Sequence, residues 1–144
     1  MKISLDRALK NGIDAHKAGN FVDAHRYYTA ILKDQPNHPD ANHNLGVLIA
    51  GSGKVDKAIT FFKSALEANS TVPQFWASYI EAYIKLGRIE DAKSVIEKAL
   101  KQGIDEGIFK HYAEYLSTVS PAKTQKVAET EPGLNQLKPL MELY

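Results

Sequence analysis

Cysteine is absent from all 144 residues. Disulfides, thiolate nucleophiles and cysteine-ligated zinc are removed with it, and a reducing cytoplasm is the expected setting. Charge of one sign is lacking too, since 18 basic residues nearly cancel 17 acidic ones for a net charge of +1. No strong field gathers nucleic acid or anionic lipid, so neither is expected as a partner. Long hydrophobic runs are missing: Asn42 to Gly53, the longest uncharged run in the patterned part of the chain, falls far short of the roughly 20 residues that span a bilayer. The opening MKISLDRALKNG interrupts its apolar residues with Lys2, Asp6, Arg7 and Lys10, which denies it the uncharged core of a signal peptide. Marks of catalysis are also scarce. AGSGK at 50–54 lacks the remaining spacing and flanking strand of a phosphate loop, and Ser64, Ser94 and Ser117 lie outside any G-x-S-x-G turn. A non-enzyme that needs no cofactor is expected.

What the chain does contain is a period. Gly19, Gly53 and Gly87 are each 34 residues apart. Phe21, Val55 and Ile89 keep the same interval, as do Ala24, Ala58 and Ala92, then Tyr28, Phe62 and Ile96, then Leu32, Leu66 and Leu100. Apolar residues within FVDAHRYYTAIL, VDKAITFFKSAL and IEDAKSVIEKAL recur at three- and four-residue steps, which is helical periodicity. Each glycine falls between two such segments, where a left-handed residue ends one helix and starts a sharp turn. The pattern predicts helix, short turn, helix in every copy.

These residues resemble the tetratricopeptide repeat family, with its W-x2-L-G-x2-Y first helix, its A-x3-F second helix and a following proline. Repeat one, 5–38, carries Gly12, Gly19, Ala24, Tyr28 and Pro36; repeat two, 39–72, carries Leu45, Gly46, Gly53, Ala58, Phe62 and Ala65; repeat three, 73–106, carries Trp76, Tyr83, Gly87, Ala92 and Ala99. Ile80 stands where glycine is usual, and Ser70 and Ile104 stand where proline is usual. The resemblance implies an all-α, TPR-type α-solenoid, a right-handed superhelix of antiparallel helix pairs. Small residues such as Gly46, Ala58 and Ala92 let neighbouring helices approach while Phe62, Trp76 and Tyr83 fill the space beside them.

Past repeat three, EGIFKHYAEYLS places Phe109, Tyr112, Ala113 and Leu116 at first-helix spacing. No second repeat helix follows, so 106–118 is expected to cap the open apolar face and to close a repeat domain over 1–118. The polar stretch PAKTQKVAETEP, between Pro121 and Pro132, predicts a linker over 119–132. The final GLNQLKPLMELY returns Leu134, Leu137, Leu140 and Leu143 at helical spacing, which predicts a helix over 133–144. Two readings of it stand side by side: a terminal helix that folds back or docks on a second chain as a homodimer, or the opening of a truncated further repeat.

PNHPDANHN at 36–44 gathers His38, Asp40 and His43, the residue types of a two-histidine, one-carboxylate metal site. The repeat register supplies a plainer reading. Pro39 becomes the first helical position, where its fixed φ and missing N–H are tolerated, and Asp40 then faces the positive end of the helix dipole. No metal is expected, and Asp40 and His43 fall to the helix face.

By resemblance, the first helices line a concave groove through the second, fifth, ninth, twelfth and thirteenth residues of each repeat. Here these are Asp6, Leu9, Ile13, His16 and Lys17, then Asp40, His43, Val47, Ala50 and Gly51, then Gln74, Ala77, Glu81, Ile84 and Lys85. One subgroup of the family clamps acidic C-termini with lysine, asparagine and arginine. Leu9, Ile13, Gln74 and Ser78 occupy those positions here and only Asn44 matches, so an acidic tail is not the expected ligand. A strip that is apolar at its centre and polar at its edges suits an extended peptide or an amphipathic helix. The expected function is a protein-binding scaffold. Its alternatives are an N-terminal module of a larger glycosyltransferase, sulfotransferase or oxygenase, and a self-association module.

Overall fold

In a computed structural model of the protein, residues 3–119 are described, and the expected 133–144 helix and nearly all of the 119–132 linker lie outside that range. The described residues form helices joined by short turns, with no strand among them. They divide into two compact units, with the boundary in the chain after Asn69.

The first unit holds α1 (Leu5–Lys17), α2 (Phe21–Asp34), α3 (Pro39–Gly51) and α4 (Val55–Ala68). Side chains start three of these helices. Ser4 Oγ accepts the Arg7 N–H at 3.1 Å, Asn20 Oδ1 accepts the Asp23 N–H at 3.4 Å, and His38 Nδ1 accepts the Ala41 N–H at 3.1 Å. Each cap satisfies one of the orphan donors at a helix N-terminus. Pro39 sits at the start of α3 as its register requires.

The pairs close in the same way each time. Gly19 and Gly53 take φ of +79° and +94°, a conformation open to glycine at little steric cost. The next N–H then reaches back five residues, from Asn20 to the Ala15 carbonyl at 2.8 Å and from Lys54 to the Ile49 carbonyl at 3.3 Å. This 6→1 bond satisfies a carbonyl that the helix end leaves unpaired. Between pairs, Asn42 donates from Nδ2 to the Pro36 and His38 carbonyls, both at 3.0 Å, and so fastens the α2–α3 turn.

Packing inside each pair depends on one glycine. A Cβ added at Gly12 would lie 2.7 Å from Tyr28 Cε1, and one at Gly46 would lie 2.6 Å from Phe62 Cε1. Tyr28 and Phe62 are fully enclosed, so each ring lies against bare backbone of the opposite helix. Ala24, Tyr28 and Leu45 form one core cluster with Leu9, Ile13 and Leu32 around it, and Ala8, Ile31 and Ala41 form another.

The second unit holds α5 (Pro73–Lys85), α6 (Ile89–Lys101), a 3-10 turn at Glu106–Ile108 and α7 (Lys110–Ser117). Gly87, at φ +73°, again lets the following residue reach back, here from the Arg88 N–H to the Tyr83 carbonyl at 2.9 Å. Trp76 packs at the start of α5 and donates its indole N–H to the Ser70 carbonyl at 2.9 Å. Ile80 and Ile96 fill the two columns that glycine and an aromatic ring occupy in the other pairs, and both are buried. The α5 and α6 backbones approach one another less closely than those of α1 and α2 or α3 and α4, in keeping with the larger Ile80.

The cap expected over 106–118 is a shorter helix. Asp105 Oδ1 accepts the Gly107 N–H at 3.0 Å, which tightens the chain into the 3-10 turn before α7 begins at Lys110. No helix among the described residues is long and apolar enough to cross a membrane.

Candidate functional site

In the first unit α1 and α3 carry the residues assigned to the groove. Leu9, Ile13 and His16 are half-buried on α1, with Lys17 exposed at its end. Tyr28 from α2 approaches His16, its hydroxyl 3.5 Å from Nδ1, and Phe21 meets the same ring edge-on at 5.8 Å. That burial lowers the His16 pKa, so the ring tends to stay uncharged near neutral pH.

Along α3, Asp40 and Gly51 are exposed, whereas His43, Asn44, Val47 and Ala50 are buried, at 0%, 1%, 3% and 4% exposure. His43 lies 5.7 Å from the Phe62 ring, and its Nδ1 meets Asn44 Oδ1 at 3.2 Å. An amide oxygen only accepts, so Nδ1 carries the proton in this pairing. Enclosure drives the His43 pKa down to about 4, against a smaller upward pull from Asn44. Asn44 Nδ2 is enclosed without a hydrogen-bond partner among the described residues.

His38, Asp40 and His43 are not brought together. His38 uses Nδ1 as the cap of α3, Asp40 points to solvent and His43 is enclosed beside Phe62. No group of three or more histidines and carboxylates with metal-site geometry occurs among the described residues.

In the second unit the face belongs to α5. Gln74 and Lys85 are half-buried at its two ends, while Ala77, Glu81 and Ile84 between them are exposed by 4%, 0% and 0%. Tyr112 of α7 donates its hydroxyl to Glu81 Oε2 at 3.2 Å, and Glu81 Oε1 has no partner among the described residues. Desolvation pushes the Glu81 pKa up to about 8, although Lys85 and the tyrosine hydroxyl both pull it down. Burial, and after it the Glu81 carboxyl alongside, raises the Tyr112 pKa well above the ordinary phenol value.

Sequence reasoning missed three of these residues. Tyr112 enters the sequence argument only through its cap spacing, and neither Asn42 nor the Tyr79 hydroxyl, 3.1 Å from that of Tyr83, has a role in it. An asparagine three residues after a proline-bounded turn was the one readable signal, since its amide can reach back to the turn carbonyls.

Helix pairs of one design, closed by positive-φ glycines and repeated every 34 residues, define a helical-repeat scaffold for protein interaction. Models of the tetratricopeptide repeat match residues 9–73 and 50–106, and the chain belongs to that family. It is similar to the photosystem I assembly protein Ycf3 of Synechococcus sp. (strain CC9605), 27% identical over 85 residues that cover 57% of this chain and 49% of that protein. The chain thus spans about half the length of this curated relative.

Solved structures agree on the fold. The type III secretion translocator chaperone SycD of Yersinia enterocolitica matches with a TM-score of 0.66 at 18% identity, over 89% of this chain and 87% of that one. SycD in complex with a peptide of the translocator YopD matches equally well, at TM-score 0.66 and 18% identity over 87% and 92%. The Thermobaculum terrenum O-GlcNAc transferase matches at TM-score 0.62 and 19% identity, over 70% of this chain but 20% of that one.

Proposed function

We propose that this protein is a non-catalytic cytoplasmic scaffold that binds a peptide or an amphipathic helix against the faces of its first helices. The observation that carries the reading is the enclosed Asn44 Nδ2, which has no partner among the described residues. Leaving a buried amide donor unpaired costs about 1–3 kcal/mol, and because Asn44 is enclosed, a peptide carbonyl reaches it only where the ligand displaces what covers the α3 face. Half-buried Leu9 and Ile13 give this unit its accessible apolar side chains, Val47 and Ala50 being enclosed, and Lys17 and Asp40 give it charged edges. On α5, Gln74 and Lys85 are the partly exposed ends, and Ala77, Glu81 and Ile84 between them are enclosed. Such surfaces suit side chains spaced along a peptide. The namings of Ycf3 as an assembly protein and of SycD as a chaperone bound to a peptide favour a protein partner.

Panning a random peptide library against the full chain, then titrating a selected peptide by fluorescence anisotropy, tests the reading. Asn44→Ala should weaken that peptide by roughly tenfold, the worth of about one hydrogen bond. Equal affinity for the two proteins, or no enriched peptide, would overturn it.

A second reading follows from the O-GlcNAc transferase match, which spans only 20% of that chain. Repeats of this kind serve there as part of a larger enzyme, and this chain is then a module ahead of a glycosyltransferase, sulfotransferase or oxygenase domain. Finding a product no larger than 16.0 kDa in source cells would remove it. Self-association through residues 133–144 is tested by sedimentation with and without them, and identical masses would sink it.

A further inference from the structure

At the α5–α7 contact a carboxyl group is enclosed with one of its two oxygens unpartnered among the described residues. Glu81 is 0% exposed, with Oε2 held by the Tyr112 hydroxyl at 3.2 Å and Oε1 unpartnered among the described residues. The helix that supplies Tyr112 is short. It docks through Phe109, Tyr112 and Leu116, all buried, while Lys110, His111, Ala113, Glu114 and Ser117 face solvent. Before it, Gly103 at φ +88° ends α6, and the 3-10 turn at Glu106–Ile108 leads into α7.

We propose that α7 is a releasable helix latched to the α5 face at Glu81, held while Glu81 carries its proton and freed when Glu81 ionises. The inference rests on the reading of that face as a ligand face, and gives it a regulator. A neutral carboxyl beside a phenol is tolerated in an apolar enclosure, whereas a carboxylate with one bare oxygen is strongly disfavoured there. Swinging α7 away hands that carboxylate to water. Burial already moves the Glu81 pKa from an ordinary value near 4.5 to about 8, the direction the latch requires. Among the described residues, the groups acting on Glu81 are Tyr112 from α7 and Lys85, one turn further along α5, with no ionisable side chain of α6 among them. His111, beside Tyr112, is exposed. The ratio of open to closed α7 should climb by up to about tenfold per pH unit within that interval.

Amide hydrogen exchange on the full chain, corrected for intrinsic rates and followed from acid to mildly alkaline pH, reads the latch directly. Protection of residues 110–117 should fall at least tenfold as Glu81 loses its proton, while α6 keeps its protection. Glu81→Gln should flatten the profile, and Tyr112→Phe should lower protection at every pH yet leave a slope. A flat wild-type profile, or an unchanged slope in Glu81→Gln, overturns the proposal. If Glu81→Gln does not fold, carboxyl NMR of the wild type decides, and a Glu81 midpoint in the ordinary carboxylate range overturns the latch. A library-selected peptide is then titrated at both ends of the pH range. Failure to bind at either end sinks the ligand-face reading and leaves the exchange data to judge the latch by itself.

Discussion

Gly46→Ala adds a single methyl group to the middle of α3, and the structure makes the cost calculable. The new carbon would lie 2.6 Å from Phe62 Cε1, 2.8 Å from Cδ1 and 3.2 Å from Cζ, where carbon atoms prefer about 3.5–4.0 Å. The Phe62 ring must therefore retreat by close to 1 Å, yet it is fully enclosed, with the His43 ring 5.7 Å away. Overpacking of this kind costs about 1–3 kcal/mol. Against it stands the better helix propensity of alanine, worth up to about 1 kcal/mol. The net expectation is a loss of about 1–2 kcal/mol. Gly51→Ala is the matched control, because the same methyl at the end of α3 meets nothing within 4 Å. It should leave stability unchanged or raise it by up to about 1 kcal/mol. Urea midpoints of the two variants should move apart, and Gly46→Ala with Phe62→Leu should recover part of the loss through coupling. Equal midpoints for Gly46→Ala and wild type, or a parallel fall in both variants, would refute the close-approach argument.

Gly53→Ala meets no atom within 4 Å but must hold φ near +94°, so it should lose about 1–2 kcal/mol from backbone strain alone; a neutral result in thermal melts would count against the turn geometry. Stability should depend on pH with two opposed slopes. His43, depressed from 6.5 to about 4, contributes stability that is present above pH 6.5 and lost as pH falls towards 4. Glu81, raised from 4.5 to about 8, contributes stability that is present below 4.5 and lost as pH rises towards 8. Each slope reaches at most about 1.4 kcal/mol per pH unit, so the profile should peak in mildly acidic solution, and urea midpoints that rise steadily to alkaline pH would be incompatible with it. His38→Ala should lose about 1 kcal/mol as a helix cap and His38→Asp should retain it; equal losses would show that the cap bond contributes nothing.

The repeat was legible because chain reversal and close packing dictate residue type locally. A positive-φ turn requires glycine and a ring lying on backbone requires glycine opposite, so Gly19, Gly53, Gly12 and Gly46 announce themselves. Helix starts at Leu5, Pro39 and Pro73 follow the same interval. The environment of the candidate site was less legible. Periodicity assigns His43 and Glu81 to a helix face but does not reveal what covers that face. Glu81 meets a tyrosine 31 residues further along the chain, and no spacing rule links the two. His38 looked like a ligand because its ring nitrogen is one, and only the chain path shows that nitrogen already engaged by Ala41. Asp105 and Gly107 delay the start of α7 through a side-chain turn that an apolar-spacing argument passes over.

The Ile80 and Ile96 pair bears on how this chain can be edited. Gly12 with Tyr28 and Gly46 with Phe62 place all the bulk on one helix of the pair, whereas the third pair divides it between both. Whole helix pairs are therefore the exchangeable parts. A graft that moves α5 opposite α4's Phe62 brings two large side chains together, and one that sets α3 opposite α6 leaves a void where a ring should be. Copies that began alike have become incompatible at the level of single helices, and any recombinant of them has to be cut at the turns between pairs.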